Sequence, residues 1–339
     1  LEVAGFDWLN PVQHRECAGN IALYNNRILH FSAGLFQKNT GEDLFPVYEN
    51  GQYLLRTAGN HQSKGADLAL SILDMMHTEK GLHAEGTLTF YSYRSKVTAV
   101  YGDASYLPLA GFSDVHTAFV KGQPLGVIVG SAWKKDAAGN RVIGPDGFPL
   151  ADDQPAVIGD PNPDFVMKMS NRLRWQRFSL GVNLEWKKGG ERWNGTQAAL
   201  DYYGRSQSTA DKRGVSGYIF PGVLEDGSPN NIKADFYNTG QPLENNRWVR
   251  YGTGGVAADY IQQADWLRIN AIQINYKQPF RRIIQQVTLS AYVHNIMLWT
   301  AYDGVDPAQL LYDQDNSAGL DFFNLPATKT YGFNVSIQF

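Results

Sequence analysis

Apolar and polar residues alternate one by one along the last segment of the chain. Tyr331, Phe333, Val335, Ile337 and Phe339 are apolar, and Gly332, Asn334, Ser336 and Gln338 lie between them. Successive side chains of a β-strand point to opposite faces, so this period of two predicts a strand with one apolar and one polar face.

The same alternation recurs upstream in eight further segments. They are 17–23, 29–36, 66–72, 82–90, 165–170, 178–186, 266–276 and 287–294. Each is near the length that a tilted strand needs to cross a bilayer. In the 266–276 segment the apolar face changes near Ala271 and Ile272, which predicts a β-bulge.

The connections between these nine strands fall into two classes that alternate along the chain. The short connections are 24–27, 74–81, 174–177 and 277–282, and the long ones are 41–60, 94–162, 189–260 and 297–327. Membrane β-barrels have short turns at one end and long loops at the other. The pattern therefore predicts an all-β fold, an antiparallel transmembrane β-barrel with long extracellular loops.

Aromatic residues at the strand ends agree with this orientation. Tyr24, Trp175, Phe280 and Phe339 fall at the short-turn ends, and Trp186, Trp266 and Tyr331 fall toward the long-loop ends. Barrels carry such aromatic girdles at both membrane interfaces, although aromatic residues flank strands in other β-proteins as well.

Nine strands are an odd number, whereas single-chain bacterial barrels have an even number. A nine-stranded arc would also leave two open edges, which lipid cannot satisfy. We therefore expect residues 1–339 to form the C-terminal part of a larger barrel, with further strands before residue 1.

Composition and motifs exclude several other classes of protein. The 30 Lys and Arg residues nearly balance 33 Asp and Glu residues, and no basic stripe indicates nucleic-acid binding. Cys17 is the single cysteine, so no internal disulfide can form. No histidine pair has metal-site spacing, and no nucleophile-elbow or phosphate-loop motif occurs. We expect no enzyme activity, no metal and no cofactor.

Several motifs, taken in order, resemble the SusC/RagA family of TonB-dependent outer-membrane transporters. They are Arg15-Glu16 with Tyr24-Asn25-Asn26-Arg27, Gly122-Gln123-Pro124-Leu125-Gly126, Ile158-Gly159-Asp160-Pro161-Asn162-Pro163-Asp164-Phe165, Ala264-Asp265-Trp266-Leu267-Arg268-Ile269, and His294-Asn295-Ile296 followed by Tyr302-Asp303-Gly304-Val305-Asp306-Pro307. His61, Gln62 and Ala66 depart from the family pattern near Gly59-Asn60.

The resemblance implies the C-terminal portion of a barrel of the 22-stranded type in the bacterial outer membrane. It further implies TonB-dependent uptake of glycans, oligosaccharides or peptides. Its expected partners are a SusD-like surface lipoprotein that covers the mouth, and TonB, which acts on a plug domain outside this chain.

Two groups of residues are candidates for contact with a solute. Trp193, Tyr202, Tyr203, Trp299 and Tyr302 lie in the predicted long loops, where their rings could stack on sugars or on peptide side chains. The alternative is that these rings pack loop against loop. Arg268, Asn270 and His294 are predicted to face the lumen, where they could contact either the plug or a solute.

Two other functions remain open from the sequence. A soluble, all-β carbohydrate-binding module would need polar residues on both outer faces, and the apolar sets at 178–186 and 331–339 argue against it. A structural outer-membrane protein without transport is the second alternative.

Overall fold

The computed structural model describes residues 13–25, 28–49, 52–77, 81–100, 102, 104–281, 283–311 and 317–339. The strands are β1 (Gln13–Asn25), β2 (Leu29–Glu49), β3 (Gln52–His77), β4 (Leu82–Val100), β5 (Tyr106–Gly111), β6 (Val115–Val120), β7 (Val127–Gly130), β8 (Ala156–Gly159), β9 (Phe165–Trp175), β10 (Phe178–Lys188), β11 (Glu191–Asn194), β12 (Ile261–Gln263), β13 (Trp266–Pro279), β14 (Gln286–Thr300), β15 (Leu320–Asp321) and β16 (Thr330–Gln338). The helices are α1 (Gly195–Tyr202), α2 (Gln207–Lys212) and α3 (Arg247–Tyr251), with 3₁₀ turns at Leu243–Asn245 and Ala257–Tyr260.

One antiparallel sheet of nine strands forms the body of the described chain. Its order is β1-β2-β3-β4-β9-β10-β13-β14-β16, so every strand pairs with the next long strand along the sequence. Each of the nine alternating segments of the sequence lies in one of these strands. The all-β prediction and the positions of the nine strands are therefore confirmed. Arg27 and Asn26 of the first predicted turn lie outside the described residues.

A bulge interrupts β13 where the sequence predicts one. Against β10, the consecutive residues Asn183 and Leu184 pair with Ala271 and Ile269, so Asn270 is the extra residue, adjacent to the predicted position. An extra residue reverses which side chains point to each face. Trp266 consequently lies on the polar face, only 9% exposed, with the Lys187 ammonium 4.6 Å from its ring centroid. Its predicted place in an exposed girdle is wrong for that reason.

The predicted long connection at 41–60 is also wrong. β2 and β3 continue through this segment as a hairpin, and their pairing extends from Leu44 opposite Thr57 to Glu49 opposite Gln52. Backbone hydrogen bonds of the ladder form regardless of side-chain polarity. The strands can therefore continue through 41–60 although apolar and polar residues do not alternate there. The last long connection likewise begins after Thr300, where β14 ends, rather than at residue 297.

One face of the nine-stranded sheet exposes a continuous set of large apolar side chains. Leu180 pairs with Ile274, Ile274 with Ala291, and Ala291 with Phe333 in neighbouring strands. Ile274 is 51% exposed. An apolar surface of this extent is unfavourable in water and indicates contact with another apolar phase. We call this surface the apolar face and its opposite the polar face.

The buried apolar core lies mainly in the long connections rather than in the main sheet. β5 to β8 form a four-stranded sheet, and β12, β11 and β15 form a three-stranded one. One cluster of buried side chains comprises Trp133, Ile143, Phe148, Phe220, Ala234, Phe236, Trp248, Tyr251 and Val256. A second comprises Val115, Ile128, Trp193, Ala198, Ala257, Tyr260 and Leu320. The connections thus fold together into an ordered unit, which we call the loop assembly.

Within the described residues, no helix combines the length and the apolar character needed to cross a membrane.

Candidate functional site

A groove of about 510 Å³ runs along the polar face of the main sheet. Its lining is predominantly polar and comes from strands β3, β4, β9, β10, β13 and β14. The lining side chains include Glu85, Asn183, Gln273, Asn275, Tyr292 and His294. Polar residues occur here because they occupy the alternate positions of strands whose other face is apolar.

Hydrogen bonds connect these polar side chains across neighbouring strands. Ser170 donates to the Asn183 amide oxygen at 2.8 Å, and Asn275 donates to the Ser179 hydroxyl at 3.1 Å. The rings of Tyr292 and His294 lie 5.1 Å apart. The groove therefore presents amide, hydroxyl and imidazole groups, all of which can donate or accept hydrogen bonds.

Charged residues on the same face are arranged in pairs. Arg172 and Arg174 both contact the Glu85 carboxylate, at 3.1 and 3.2 Å. Nearer the loop assembly, Arg268 binds the buried Asp306 at 2.6 Å. Asn270 donates to Glu185 at 3.2 Å. Two arginines thus share one carboxylate and a third arginine has its own, so these contacts neutralise much of the charge on the described part of the face.

Arg192 holds the loop assembly together at the end of the main sheet. Its guanidinium is buried and donates to the backbone oxygens of Pro307 and Leu320, each at 2.8 Å, and to that of Gln309. The same group lies 5.8 Å from the ring centroid of Tyr302. One side chain of β11 therefore fixes the connection between β14 and β16.

Tyr302 and Asp321 form a second buried contact in this connection. The Tyr302 hydroxyl donates to the Asp321 carboxylate at 2.5 Å. Burial, and then the hydrogen bond to this negative carboxylate, raise the pKa of Tyr302 well above its ordinary value. Burial and the neighbouring Asp201 raise the pKa of Tyr260 in the same way.

These raised pKa values predict that the loop assembly loses stability in alkali. Below pH 10 tyrosine is protonated in both the folded and the unfolded state, and the stabilisation is complete. As the pH rises through about 10, the tyrosine of the unfolded state releases its proton first. The free energy of unfolding then falls by about 1.4 kcal/mol per pH unit for each such tyrosine. Guanidinium unfolding followed by near-ultraviolet circular dichroism at pH 8, 10 and 11 measures this slope. Tyr302→Phe is expected to show a smaller slope, and an equal slope would contradict the assignment.

The structure separates the five aromatic candidates into different environments. Trp193 and Tyr302 are each 4% exposed, and their rings pack inside the loop assembly. Trp193, for example, lies with its ring centroid 6.3 Å from that of Phe322. Burial leaves neither ring face open, which agrees with the alternative that these rings pack loop against loop.

The other three aromatic candidates lie nearer the surface. Trp299 belongs to β14 and is 47% exposed on the apolar face, beside Leu267 of β13. Tyr203 is 72% exposed and meets Tyr202 edge to face, with ring centroids 5.1 Å apart. Tyr202 and Tyr203 therefore offer a ring surface on the loop assembly, whereas Trp299 faces outward from the sheet.

All three residues predicted to face the lumen lie on the polar face. His294 lines the groove, Asn270 contacts Glu185 of the same face, and Arg268 contacts Asp306 of the connection after β14. Sequence reasoning did not single out Arg192, Asp201 or Arg247, which organise the loop assembly. The partners of Arg192 lie 115 and 128 residues away along the chain, so no local spacing identifies it. Within the described residues, no cluster of three or more His, Cys, Asp and Glu side chains could hold a metal ion.

No protein-family model matches the chain, but a curated protein and several solved structures do. The TonB-dependent receptor P3 of Formosa agariphila is 28% identical over 193 residues, which is 54% of this chain and 17% of that protein. The RagAB peptide importer in its open-open state superimposes with a TM-score of 0.66 and 15% identity, over 99% of this chain and 36% of the matched chain. Its closed-closed state gives a TM-score of 0.64 at 14% identity, over 96% of this chain and 35% of the matched chain.

The resemblance to the SusC/RagA family of TonB-dependent receptors is confirmed. The structural match extends over nearly the whole chain, so the long connections follow the RagAB fold as well as the main sheet. The chain spans about a third of the length of the solved structures that it matches. The curated relative is named as a receptor, and the solved structures are of a peptide importer.

Proposed function

We propose that this chain is the C-terminal wall of a TonB-dependent transporter in the bacterial outer membrane. The observation that supports the proposal most strongly is the match of 99% of the chain to a peptide importer, together with the receptor name of the curated relative. The two faces of the sheet fit the same function, because a barrel wall needs an apolar face toward lipid and a polar face toward the lumen.

In this proposal residues 1–339 supply nine strands of a closed barrel of the 22-stranded type. Among the described strands, β1 and β16 each pair with one neighbour only. Backbone groups at an open edge have no partner in lipid. Further strands of the same polypeptide therefore complete the barrel, and a plug domain outside this chain fills its lumen.

The proposed mechanism is transport without chemistry on the solute. A glycan, oligosaccharide or peptide binds between the loop assembly and a SusD-like surface lipoprotein, and Tyr202 and Tyr203 are the candidate contacts. TonB then acts on the plug, and the solute passes along the polar face. Arg268, Asn270 and His294 lie along this path. No bond is made or broken, and no cofactor takes part.

Uptake by intact cells tests the function. Cells with the gene and cells with a deletion are supplied with fluorescent oligosaccharides and, separately, with fluorescent oligopeptides. We expect the deletion to abolish uptake of one class, and a protonophore to abolish it in cells that keep the gene, because TonB draws on the proton gradient. Equal uptake of both classes with and without the gene would favour a structural outer-membrane protein. Recovery of the protein in the aqueous fraction without detergent would favour the soluble carbohydrate-binding module.

A further inference from the structure

The loop assembly contains a cavity that is separate from the groove on the polar face. Its volume is about 350 Å³, within the range of small-molecule sites, and it lies between the three helices and the 3₁₀ turn at Ala257–Tyr260. Its lining includes Asp201, Arg247, Trp248, Tyr251, Asp259 and Tyr260. Aromatic rings, the cationic side chains of Arg247 and Lys212, and the carboxylates of Asp201, Asp259 and Asp303 therefore surround one partly open space.

Aromatic rings hold Arg247 in a fixed position beside this cavity. Its guanidinium carbon lies 5.1 Å from the ring centroid of Trp248, 5.3 Å from that of Phe236, and 5.7 Å from those of Phe220 and Tyr251. A guanidinium is attracted to ring faces and is weakly hydrated. The rings thus keep a positive charge in place and reduce its mobility, without satisfying its Nε–H group.

Hydrogen-bond donors at this cavity lack partners within the described part of the chain. Arg247 Nε and Trp248 Nε1 are both buried and make no hydrogen bond there. The Asp259 carboxylate lies 3.7 Å from Arg247 Nη2, which is beyond hydrogen-bond distance. A buried donor without an acceptor is unfavourable.

The carboxylates at the cavity, in contrast, already have donors. Asp201 accepts from Gln197 at 2.7 Å and from the Tyr260 hydroxyl at 3.1 Å. Asp259 accepts from Trp133 Nε1 at 3.2 Å, and Asp303 accepts from the Gln262 side chain at 3.3 Å. The unused hydrogen-bonding capacity is therefore mainly that of donors, and a ligand that complements it must supply acceptors.

We propose that this cavity binds a small molecule through a carboxylate group. The fork of a guanidinium matches the two oxygens of a carboxylate and can donate to both. The rings of Trp248, Tyr251 and Tyr260 would contact the less polar part of the ligand. The carboxylate can belong to a peptide C-terminus or to a sugar acid, which present the same group to Arg247. The site does not depend on transport, because binding is an equilibrium property of the loop assembly.

Calorimetric titration of the detergent-solubilised protein tests the site. The probes are triglycine and digalacturonate, each compared with a neutral derivative, triglycine amide and the digalacturonate methyl ester. We expect one acid to bind, and its neutral derivative to bind roughly tenfold more weakly or worse, because a charge-assisted hydrogen-bond pair is lost. Arg247→Met is expected to weaken binding of the acid to a similar degree.

Three further variants separate binding from folding. Arg250→Met removes an arginine of the same helix that pairs instead with Asp146 at 2.6 Å, and it should leave the affinity unchanged. Arg247→Lys keeps the charge but loses the fork, so it should weaken binding in protein whose melting temperature stays near that of the parent. Trp248→Phe removes the unpartnered N–H together with one ring of the indole, and it should weaken binding as well. Absence of binding by both acids, equal affinity for acid and neutral derivative, or equal weakening by Arg250→Met would overturn the site. If any of these results is found while cells still take up the solute, the binding site is wrong and the proposed transport function is unaffected.

Discussion

Ile274→Arg is expected to destabilise the folded protein in a lipid bilayer by about 2–4 kcal/mol. Ile274 lies on the apolar face of β13, between Leu180 of β10 and Ala291 of β14. If this face contacts lipid, a guanidinium at this depth loses its hydration and gains no acidic partner in exchange. Urea unfolding of protein reconstituted in vesicles, read from the heat-dependent shift in gel mobility, measures the loss.

Gln273→Arg is the matched control for this substitution. Gln273 is the adjacent residue and lines the groove on the polar face. The same arginine there should change the stability by less than about 1 kcal/mol, since substitutions in the lumen leave the charge in water. Equal stability of the two variants would contradict a lipid-facing surface, because on a soluble sheet an arginine at an exposed position costs little.

Arg192→Met is expected to destabilise the loop assembly by about 3–5 kcal/mol. Methionine retains much of the side-chain volume but donates no hydrogen bond. The backbone oxygens of Pro307 and Leu320 would then be buried without the donor they have now, and each such group costs about 1–3 kcal/mol. Hydrogen exchange of the amides at 306–311 and 317–321 should accelerate strongly.

The exposed Arg205 provides the control for this experiment. Arg205→Met removes the same charge from the same assembly and should leave exchange at 306–311 unchanged, because surface substitutions usually alter stability by less than about 0.5 kcal/mol. Exchange in β13 and β14 should stay slow in both variants. If Arg192→Met accelerates exchange no more than Arg205→Met does, the buried guanidinium does not fix this connection.

The main sheet could be predicted because each strand carries its own information. In 331–339 and 178–186 the alternation of apolar and polar residues shows which side chains share a face, even when the neighbouring strands are not known. The bulge at Asn270 was predictable to within one residue, since a bulge reverses the alternation locally. Its consequence for Trp266 was not drawn from the sequence, although the same reversal places that ring on the polar face.

The extended hairpin of β2 and β3 was not predicted, because backbone pairing leaves no pattern of apolar and polar residues in the sequence. Through 44–57 the strands are held by backbone pairing, and the side chains carry no consistent alternation. A sequence that reads as a loop by side-chain polarity can thus form a regular ladder.

The loop assembly could not be predicted because its contacts connect distant positions. Arg192 binds backbone groups 115 and 128 residues away, and the ring cage of Arg247 combines residues from three separate stretches. Composition alone also cannot distinguish a tryptophan that packs from one that binds. Trp193 and Tyr302 were candidates for solute contact, and the structure buries both rings among other loop residues.

Spin-label scanning of β16 in liposomes tests the central claim, a barrel wall between lipid and lumen, most directly. Cys17 is replaced by serine, and single cysteines from 331 to 337 are labelled and probed with oxygen, which concentrates in lipid, and with a water-soluble nickel complex. We expect period-two alternation, with Tyr331, Phe333, Val335 and Ile337 accessible to oxygen and Gly332, Asn334 and Ser336 accessible to nickel. Equal accessibility of all seven positions to the nickel complex would contradict the account.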